Sequence, residues 1–341
     1  MNFTCTSREL HPRHAFRISR ARKTEVRNVF LRLEDEGLTG YGEASPNAFY
    51  DETWEAVVQK LEEAREFITA LHVREVADIE TAWHDAWHHL APSRAAQCAL
   101  DIALWDWLAQ RRGLTATELA WGEPPRPVQT FATIGLSTPE ELAAKIEELR
   151  GFPWIKIKSD AAASLDAIRR VREQTPALIA VDANCAWAGL DIAALVREMA
   201  SLGVEFIEQP LPPGRDTELP RVNLPVMADE SCVTEDDVQG VSERFDGFNI
   251  KLVKCGGITP ARRMVKTGRA LGKKIMVGCM LESSALIAAG AVIAQKTDYA
   301  DLDGAWLIGD DPFTGWRFEH GTLLPPAGAG LGVQPRTGLF V

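Results

Sequence analysis

The chain has 341 residues, of which 46% are hydrophobic and 25% are charged, a composition typical of a globular enzyme. Its 37 basic and 48 acidic residues give a net charge of −11, which argues against nucleic acid or an anionic membrane as a partner. The chain shows no apolar run of the ~18 residues that a membrane span needs, no apolar signal core and no Cys-x-x-Cys spacing, so we expect a cytoplasmic protein.

The first 120 residues predict strands followed by helices. Two strands joined by an acidic turn are expected within residues 26–44. Helical spacing follows over 52–90, and residues 92–112 form the strongest amphipathic helix, with a serine at its N-cap and a glycine at its end. This order predicts an α+β domain over residues 1–122.

The central part of the chain, residues 123–314, predicts a parallel β/α barrel. Eight short apolar runs alternate there with helical stretches at a spacing of about 25 residues. These runs lie at 129–135, 154–159, 178–184, 204–210, 225–231, 247–254, 274–280 and 299–304. A doubly wound open sheet is the alternative, but the first strand lacks the glycine-rich phosphate loop that usually follows it. The tail, residues 315–341, is expected to return to the N-terminal domain.

Three successive predicted strands end in a carboxylate, at Asp182, Glu208 and Asp229. In a barrel the chemistry lies at the C-terminal ends of the strands, so these three should converge. A single acid at a strand end is usually a helix cap or a surface charge. Three in succession, without His or Cys, suit a hard divalent cation, Mg²⁺ first.

Lysines flank these acids within apolar runs, where an unpaired charge is costly. Lys156 and Lys158 share one face of the second strand, and Lys251 ends the sixth strand on the opposite side of the mouth. The alternative is that they extend from the rim towards solvent. A nearby cation and a second ammonium are expected to lower a lysine pKa towards neutrality. Two such bases predict proton removal beside a metal-held carboxylate and proton return from the opposite face, which inverts a stereocentre.

Several motifs on these strands resemble the enolase superfamily in their order and spacing over essentially the whole chain. They are KIK at 156–158, VDAN at 181–184, EQPL at 208–211, ADES at 228–231, NIKLVKCGG at 249–257, GYGEASP at 40–46 and AQCALDIALWD at 96–106. The resemblance implies an α/β fold, a (β/α)₇β modified TIM barrel with an N-terminal α+β capping domain. Lysines on both the second and sixth strands resemble the muconate-lactonizing subgroup. The mandelate racemase subgroup would place a His where this chain has Gly278-Cys279.

The resemblance also implies a role for each strand-end residue. Asp182, Glu208 and Asp229 correspond to the metal ligands. Lys158 and Lys251 correspond to the two acid/base residues, and Lys156 to a group that steadies the substrate carboxylate and the ene-diolate. Asn184 and Glu230 are expected to orient the ligands.

The eighth strand carries Asp301 and Asp303. This Asp-x-Asp resembles the dipeptide epimerases, and the run ADLDGAWLIGDDP the L-Ala-D/L-Glu epimerases, in which two carboxylates would pair with a substrate ammonium. In the alternative interpretation one Asp caps a turn and the other is solvated. An N-acylamino acid racemase or an o-succinylbenzoate synthase could use the same metal and lysines, but neither needs an ammonium site. A non-catalytic scaffold should have a damaged site, and all the acids and lysines are present.

Specificity is expected to come from the cap loops and from the strand ends. The first loop, residues 16–27, is basic, and Arg20 or Arg22 is the candidate partner of a second substrate carboxylate. Thr133, at the end of the first strand, is expected to line the pocket. The sequence therefore predicts a Mg²⁺-dependent isomerase, a dipeptide epimerase acting on L-Ala-D/L-Glu or a similar dipeptide by two-base 1,1-proton transfer, in peptidoglycan recycling. Its partner is a small molecule, and a homo-oligomer is left open.

Overall fold

The computed structural model describes residues 1–14, 16–18, 21–160 and 164–340. Its N-terminal part, which we call the cap, is a three-stranded antiparallel sheet covered by helices. The cap contains β1 (Asn2–Leu10), β2 (Phe16–Ile18), β3 (Ala21–Lys23), β4 (Val26–Asp35), β5 (Leu38–Ala44), α1 (Trp54–Glu63), α2 (Arg65–Ala70), α3 (Val76–Leu90), α4 (Arg94–Arg112) and α5 (Ala116–Trp121). The sheet order is β1-β4-β5. Sequence reasoning did not identify β1, because its polar, half-buried residues give no clear alternation.

Helix α4 is the centre of the cap. It begins where predicted, since Ser93 Oγ accepts a hydrogen bond from Ala96 N at 3.0 Å, and it ends at Gly113, whose φ is 65°. Strand β5 crosses it at Gly40 and Gly42, where an added Cβ would lie 2.2 Å and 1.9 Å from carbonyl oxygens of the helix. Only glycine permits so close an approach between strand and helix.

The following part is a barrel of eight parallel strands in sequential order, which confirms the predicted fold class. It contains β7 (Ala132–Ile134), α6 (Pro139–Glu148), β8 (Trp154–Lys158), α7 (Ser164–Gln174), β9 (Leu178–Asp182), α8 (Ile192–Ser201), β10 (Val204–Glu208), β11 (Val226–Ala228), α9 (Asp237–Val241), β12 (Gly247–Lys251), α10 (Leu252–Cys255), α11 (Ile258–Ala270), β13 (Lys274–Gly278), α12 (Ser284–Ala294), β14 (Tyr299–Asp301) and α13 (Gly304–Leu307), after β6 (Val128–Gln129). Each predicted apolar run contains one of these eight strands. A hydrogen bond of 2.9 Å from Phe131 N to Ala300 O joins the first strand region to the last.

The interior of the barrel is filled below the site by apolar side chains. This group consists of Phe131, Ala180, Phe206, Met227 and Met276, all fully buried. Because their layer closes the barrel from beneath, polar groups at the C-terminal strand ends can meet only at the mouth.

The C-terminal segment forms short strands, β15 (Phe313–Thr314), β16 (Arg317–Glu319), β17 (Thr322–Leu324) and β18 (Gln334–Pro335). It contacts the cap, since Leu331 N donates to Asp106 Oδ1 at 2.7 Å and the rings of Phe340 and Tyr41 stack. Within the described ranges, no helix combines the length and apolar character needed to cross a bilayer.

Candidate active site

The three predicted metal ligands lie together at the mouth of the barrel. Strand register places Lys158 beside Asp182, and Asp182 beside Glu208, while Asp229 directly follows β11. All three carboxylates are buried to 1% exposure or less. Buried carboxylates repel one another and need cationic partners, which the surrounding lysines supply.

Lys156 is the ammonium that joins the most carboxylates. Its Nζ lies 2.5 Å from Glu208 Oε2, 2.7 Å from Asp301 Oδ2 and 3.2 Å from Asp182 Oδ2, and the side chain is fully buried. Burial alone would lower the pKa of Lys156, but the charges of Asp301, Glu208 and Asp182 outweigh burial and raise the pKa well above its ordinary value.

The two predicted bases each contact one metal-ligand candidate. Lys158 Nζ lies 2.5 Å from Asp182 Oδ2, and Lys251 Nζ lies 2.7 Å from Asp229 Oδ2. Burial opposes the charge of Lys251, yet Asp229 raises the pKa of Lys251 well above its ordinary value. The lowered lysine pKa predicted from the sequence refers to a site with a cation bound and stays a prediction. In the structure the carboxylate against the Lys251 ammonium raises the pKa instead.

A fourth lysine, which sequence reasoning missed, also holds Asp229. Lys254 Nζ donates to Asp229 Oδ1 at 2.7 Å and to the carbonyl oxygens of Asp229, Cys232 and Asn249 at 2.6, 2.8 and 3.3 Å. Its side chain is fully buried. The sequence does contain a sign of this role, because Lys254 lies within an apolar run, as Lys156, Lys158 and Lys251 do.

The trio has the chemistry of a divalent cation site. Its donors are all carboxylate oxygens, the ligand type that Mg²⁺ prefers. Burial, together with repulsion from Asp182 and Asp229, raises the pKa of Glu208 to about 8. Glu208 Oε2 forms its ion pair with Lys156 but accepts no hydrogen bond of ordinary geometry. A divalent cation would relieve both the repulsion and the unsatisfied oxygen, so these residues fit Mg²⁺.

The two aspartates of the eighth strand are buried beside Thr133. Thr133 N donates to Asp303 Oδ2 at 2.7 Å, and Thr133 Oγ1 lies 3.5 Å from Asp301 Oδ1. Burial and the charge of Asp301 raise the pKa of Asp303 to about 7. Asp303 stands at the N-cap of α13 but makes no side-chain capping bond, and neither aspartate is solvated.

The predicted orienting residues lie next to the carboxylates. Asn184, with φ of 43°, donates its backbone N–H to Asp182 Oδ1 at 2.9 Å, and Glu230 is buried directly after Asp229. Asn249 Nδ2 donates to Glu208 Oε1 at 2.8 Å. Sequence reasoning missed Asn249, although its two-residue spacing from Lys251 predicts the same strand face.

A cavity that contains these side chains lies between the cap and the barrel at the mouth. The described residues that line it are Lys23, Asn47, Thr133, Lys158, Asn184, Lys251, Cys279, Met280, Leu281, Asp301, Asp303 and Leu307. Of the specificity candidates, Arg20 lies outside the described residues, and Arg22 is exposed. Lys23, the next residue of β3, lines the cavity because neighbouring strand residues face opposite sides.

Comparison with known proteins places both halves of the chain in one family. Residues 2–120 match the family described as "Mandelate racemase / muconate lactonizing enzyme, N-terminal domain", and residues 140–338 match "Enolase C-terminal domain-like".

Individual relatives match over nearly the full length. An L-Ala-D/L-amino acid epimerase of Flavobacterium johnsoniae is 36% identical over 91% of this chain and 93% of its own. The L-Ala-D/L-Glu epimerase of Escherichia coli is 34% identical over 92% of this chain and 97% of its own. A dipeptide epimerase of Methylococcus capsulatus, solved with Mg and L-Arg-D-Lys, is 32% identical, covers 97% of this chain and 98% of its own, and has a TM-score of 0.90.

Proposed function

The chain belongs to the mandelate racemase and muconate lactonizing enzyme family of the enolase superfamily, and we propose that it is a Mg²⁺-dependent dipeptide epimerase acting on L-Ala-D/L-Glu or a similar dipeptide. Its relatives are isomerases of amino acid derivatives, and so is this chain. The observation that carries the dipeptide assignment is the pair Asp301 and Asp303, buried in the cavity that also contains Lys158 and Lys251.

Two lysines perform the proton transfers. Lys158 and Lys251 reach the cavity from β8 and β12, which three strands separate, so their amines meet a bound α-carbon from opposite sides. In its neutral form one lysine removes the α-proton, and the other, as an ammonium, returns a proton to the opposite face. The product differs from the substrate in the configuration at that carbon alone.

The remaining strand-end groups hold the cation and the substrate carboxylate. Asp182, Glu208 and Asp229 would bind Mg²⁺, which supplies positive charge beside the substrate carboxylate as its α-carbon loses a proton. Lys156 contacts Asp182 and Glu208 and presents a fixed ammonium to the same place. A bound cation would also neutralise the charge of Asp229, which otherwise favours the protonated form of Lys251.

A free ammonium at the N-terminal residue of the substrate fits Asp301 and Asp303. Both are buried carboxylates, and a substrate ammonium would offset the mutual repulsion that contributes to the raised pKa of Asp303. An N-acylated substrate has no charge to place there, and its amide would not offset the repulsion between the two carboxylates. The site therefore favours a dipeptide over the substrate of an N-acylamino acid racemase.

The test is ¹H NMR of L-Ala-L-Glu with the protein and Mg²⁺ in D₂O. We expect the Glu α-proton signal to disappear and the signals of the second diastereomer to grow. The matched substrate is N-acetyl-L-Ala-L-Glu, which lacks only the ammonium and should react at least about tenfold more slowly. Equal rates would refute the ammonium site, and no exchange with any member of a dipeptide library would refute the epimerase.

The two-base assignment is tested in the same assay with Lys158→Ala and Lys251→Ala. Each substitution should abolish epimerisation, because inversion needs both faces. Each variant should retain α-proton exchange from one epimer only, the one whose proton the remaining lysine removes. Full epimerisation by either variant would refute this assignment.

Lys23 is the residue we assign to a second substrate carboxylate, in place of its neighbours in the basic loop. It lines the cavity from the cap, whereas Arg22 is exposed. Lys23→Gln should lower kcat/KM for L-Ala-L-Glu by about fivefold and leave L-Ala-L-Gln unaffected, since a partly exposed charge pair contributes about 1 kcal/mol. Arg22→Gln is the control. An equal loss for both dipeptides would exclude the charge contact.

A further inference from the structure

The segment that directly follows Lys251 is docked against the cap. After strand β12 the chain makes one helical turn, α10, and then a turn at Gly256 and Gly257, whose φ values are 97° and 118°. The N–H groups of both glycines donate to Leu252 O, at 2.8 and 2.9 Å. Two hydrogen bonds therefore tie the glycine turn to the residue next to Lys251.

Cap side chains surround this turn. Trp83 Nε1 donates to Gly256 O at 2.8 Å, and Gln97 Nε2 donates to Trp83 O at 2.7 Å. An added Cβ on Gly256 would lie 2.8 Å from Gln97 Oε1, and one on Gly257 would lie 2.3 Å from Asp101 Oδ2. The fit leaves no room for the turn to move towards the cap.

Asp101 of α4 supplies the N-terminal cap that helix α11 lacks. The local N-cap residue, Gly257, has no side chain to accept a hydrogen bond. Instead Asp101 Oδ2 accepts from Thr259 N at 3.0 Å, and Asp101 Oδ1 accepts from Thr259 Oγ1 at 2.5 Å. A carboxylate at this end also interacts favourably with the helix dipole.

We infer that Asp101 is a positioning residue, which sets the place of the Lys251 amine by fixing the Gly256–Gly257 turn and the start of α11 from the cap. The inference rests on the proposed function for the role of Lys251. Asp101 is buried to 1% exposure and does not line the cavity, so its effect on the substrate is indirect, through the segment that joins the glycine turn to Lys251. The cap would thus set the geometry of one of the two bases.

The chain offers a matched control on the same helix. Asp106 is also buried to 1% exposure, and it accepts backbone hydrogen bonds from Leu331 N and Tyr41 N at 2.7 and 2.9 Å. Those partners belong to the C-terminal segment and to the cap sheet, which do not lead to a strand end of the site. Burial raises the pKa of Asp101 to about 7 and that of Asp106 to about 6, so the two substitutions remove similar groups.

The experiment compares Asp101→Asn with Asp106→Asn. Asparagine keeps the shape of the side chain. In Asp106→Asn its N–H₂ faces a backbone N–H, whereas in Asp101→Asn it can face the Thr259 hydroxyl, which also accepts, so Asp106→Asn should lose at least as much thermal stability.

Lys251→Ala identifies the epimer whose α-proton Lys251 removes, because that variant no longer exchanges it in D₂O. Asp101→Asn should lose α-proton exchange from this epimer, and Asp106→Asn should not. The expected loss is about tenfold or more, since a displacement of about 1 Å can cost 10²-fold in rate. Exchange from the other epimer should fall less, because it is affected only through Lys254, which holds Asp229 from the same segment.

A second readout does not depend on catalysis. Amide hydrogen exchange over residues 247–257 should rise about tenfold in Asp101→Asn and stay unchanged in Asp106→Asn. Thr259→Val keeps the bond from Thr259 N to Asp101 but removes both the bond from Thr259 Oγ1 to Asp101 and the acceptor of Trp105 Nε1. It should give a smaller rise over 247–257 and serves if Asp101→Asn fails to fold.

The outcomes separate this inference from the proposed function. Unchanged amide exchange over 247–257, or an equal loss of exchange from both epimers, would overturn the positioning role. If the wild-type protein exchanges no dipeptide α-proton, the proposed function fails. The amide hydrogen exchange of Asp101→Asn still tests the positioning role in that case. An increase over 247–257 supports the role, and no change refutes it.

Discussion

Glu43 of the cap is a buried carboxylate whose titration should appear in the pH dependence of stability. Its Oε1 accepts from Asn28 Nδ2 at 2.8 Å and from Ser283 N at 2.9 Å. Its Oε2 accepts from Ser283 Oγ at 2.5 Å and from Leu286 N at 3.2 Å, at the start of α12. Burial raises the pKa of Glu43 from 4.5 to about 7, because these four hydrogen bonds only partly compensate the loss of water.

The sign follows from the two pKa values. Between pH 4.5 and about 7 the folded protein keeps the Glu43 proton that the unfolded chain has lost. Stability contributed by this group is therefore greatest below pH 4.5 and decreases as the pH rises through about 7. The pKa difference corresponds to about 3 kcal/mol, at about 1.4 kcal/mol per pKa unit. For a chain of 341 residues that is about 4 °C in Tm, at about 2.1 cal/mol/K of unfolding entropy per residue.

The assay is the Tm of the wild-type protein and of Glu43→Gln at pH 5 and pH 8. Glutamine does not titrate, so the Tm of the variant minus that of wild type should increase by about 4 °C between the two pH values. Any constant cost of placing the glutamine N–H₂ against Leu286 N cancels in this comparison. The control is Glu118→Gln, because the Thr115 N–H lowers the pKa of Glu118, the opposite direction to Glu43. A Tm difference that is the same at pH 5 and pH 8 for Glu43→Gln would refute the reasoning.

Three further substitutions test contacts described above, each by urea unfolding at pH 7. Lys254→Met removes the buried ammonium from Asp229 Oδ1 and should cost about 3 kcal/mol or more, whereas a cost below 1 kcal/mol would show that Asp229 finds another partner. Gly42→Ala places a Cβ 1.9 Å from a carbonyl oxygen of α4 and should cost about 3 kcal/mol. The control is Gly240→Ala, because Gly240 is exposed and an added Cβ there would meet no atom within 4 Å. Gly257→Ala forces alanine to φ of 118° against Asp101 and should cost about 2–3 kcal/mol, and a neutral effect would show that the turn can relax.

The barrel and the positions of its acids could be predicted because strands that follow one another along the chain lie next to one another in the barrel. Asp182, Glu208 and Asp229 each end an apolar run, and the register of three adjacent strands brings them to one layer. The same rule placed Lys158 and Lys251 on opposite sides of the mouth. Periodicity and strand order were sufficient for these residues, since each contact is between a strand end and its next neighbours.

Side chains whose partners are distant in sequence could not be assigned this way. Asp101 meets Thr259 across 158 positions, and Glu43 meets Ser283 across 240. Both lie in patterns that predict a core helix or strand, where an acid would ordinarily be a defect. Their partners are N–H groups at the starts of two barrel helices, and nothing local in either segment specifies that pairing. Only the docking of cap on barrel reveals it.

The pKa of Lys251 likewise depends on a contact that the sequence does not specify. The sequence predicts that a nearby cation and a second ammonium lower a lysine pKa. In the structure Asp229 Oδ2 lies 2.7 Å from Lys251 Nζ, and one contact at that distance outweighs more remote ammonium groups. Lys254 contacts the second oxygen of Asp229, so both oxygens of this carboxylate are paired with a lysine. Under the proposed function a bound cation would share Asp229 with Lys251, and cation binding would then be linked to the protonation of Lys251, a coupling that no spacing rule encodes.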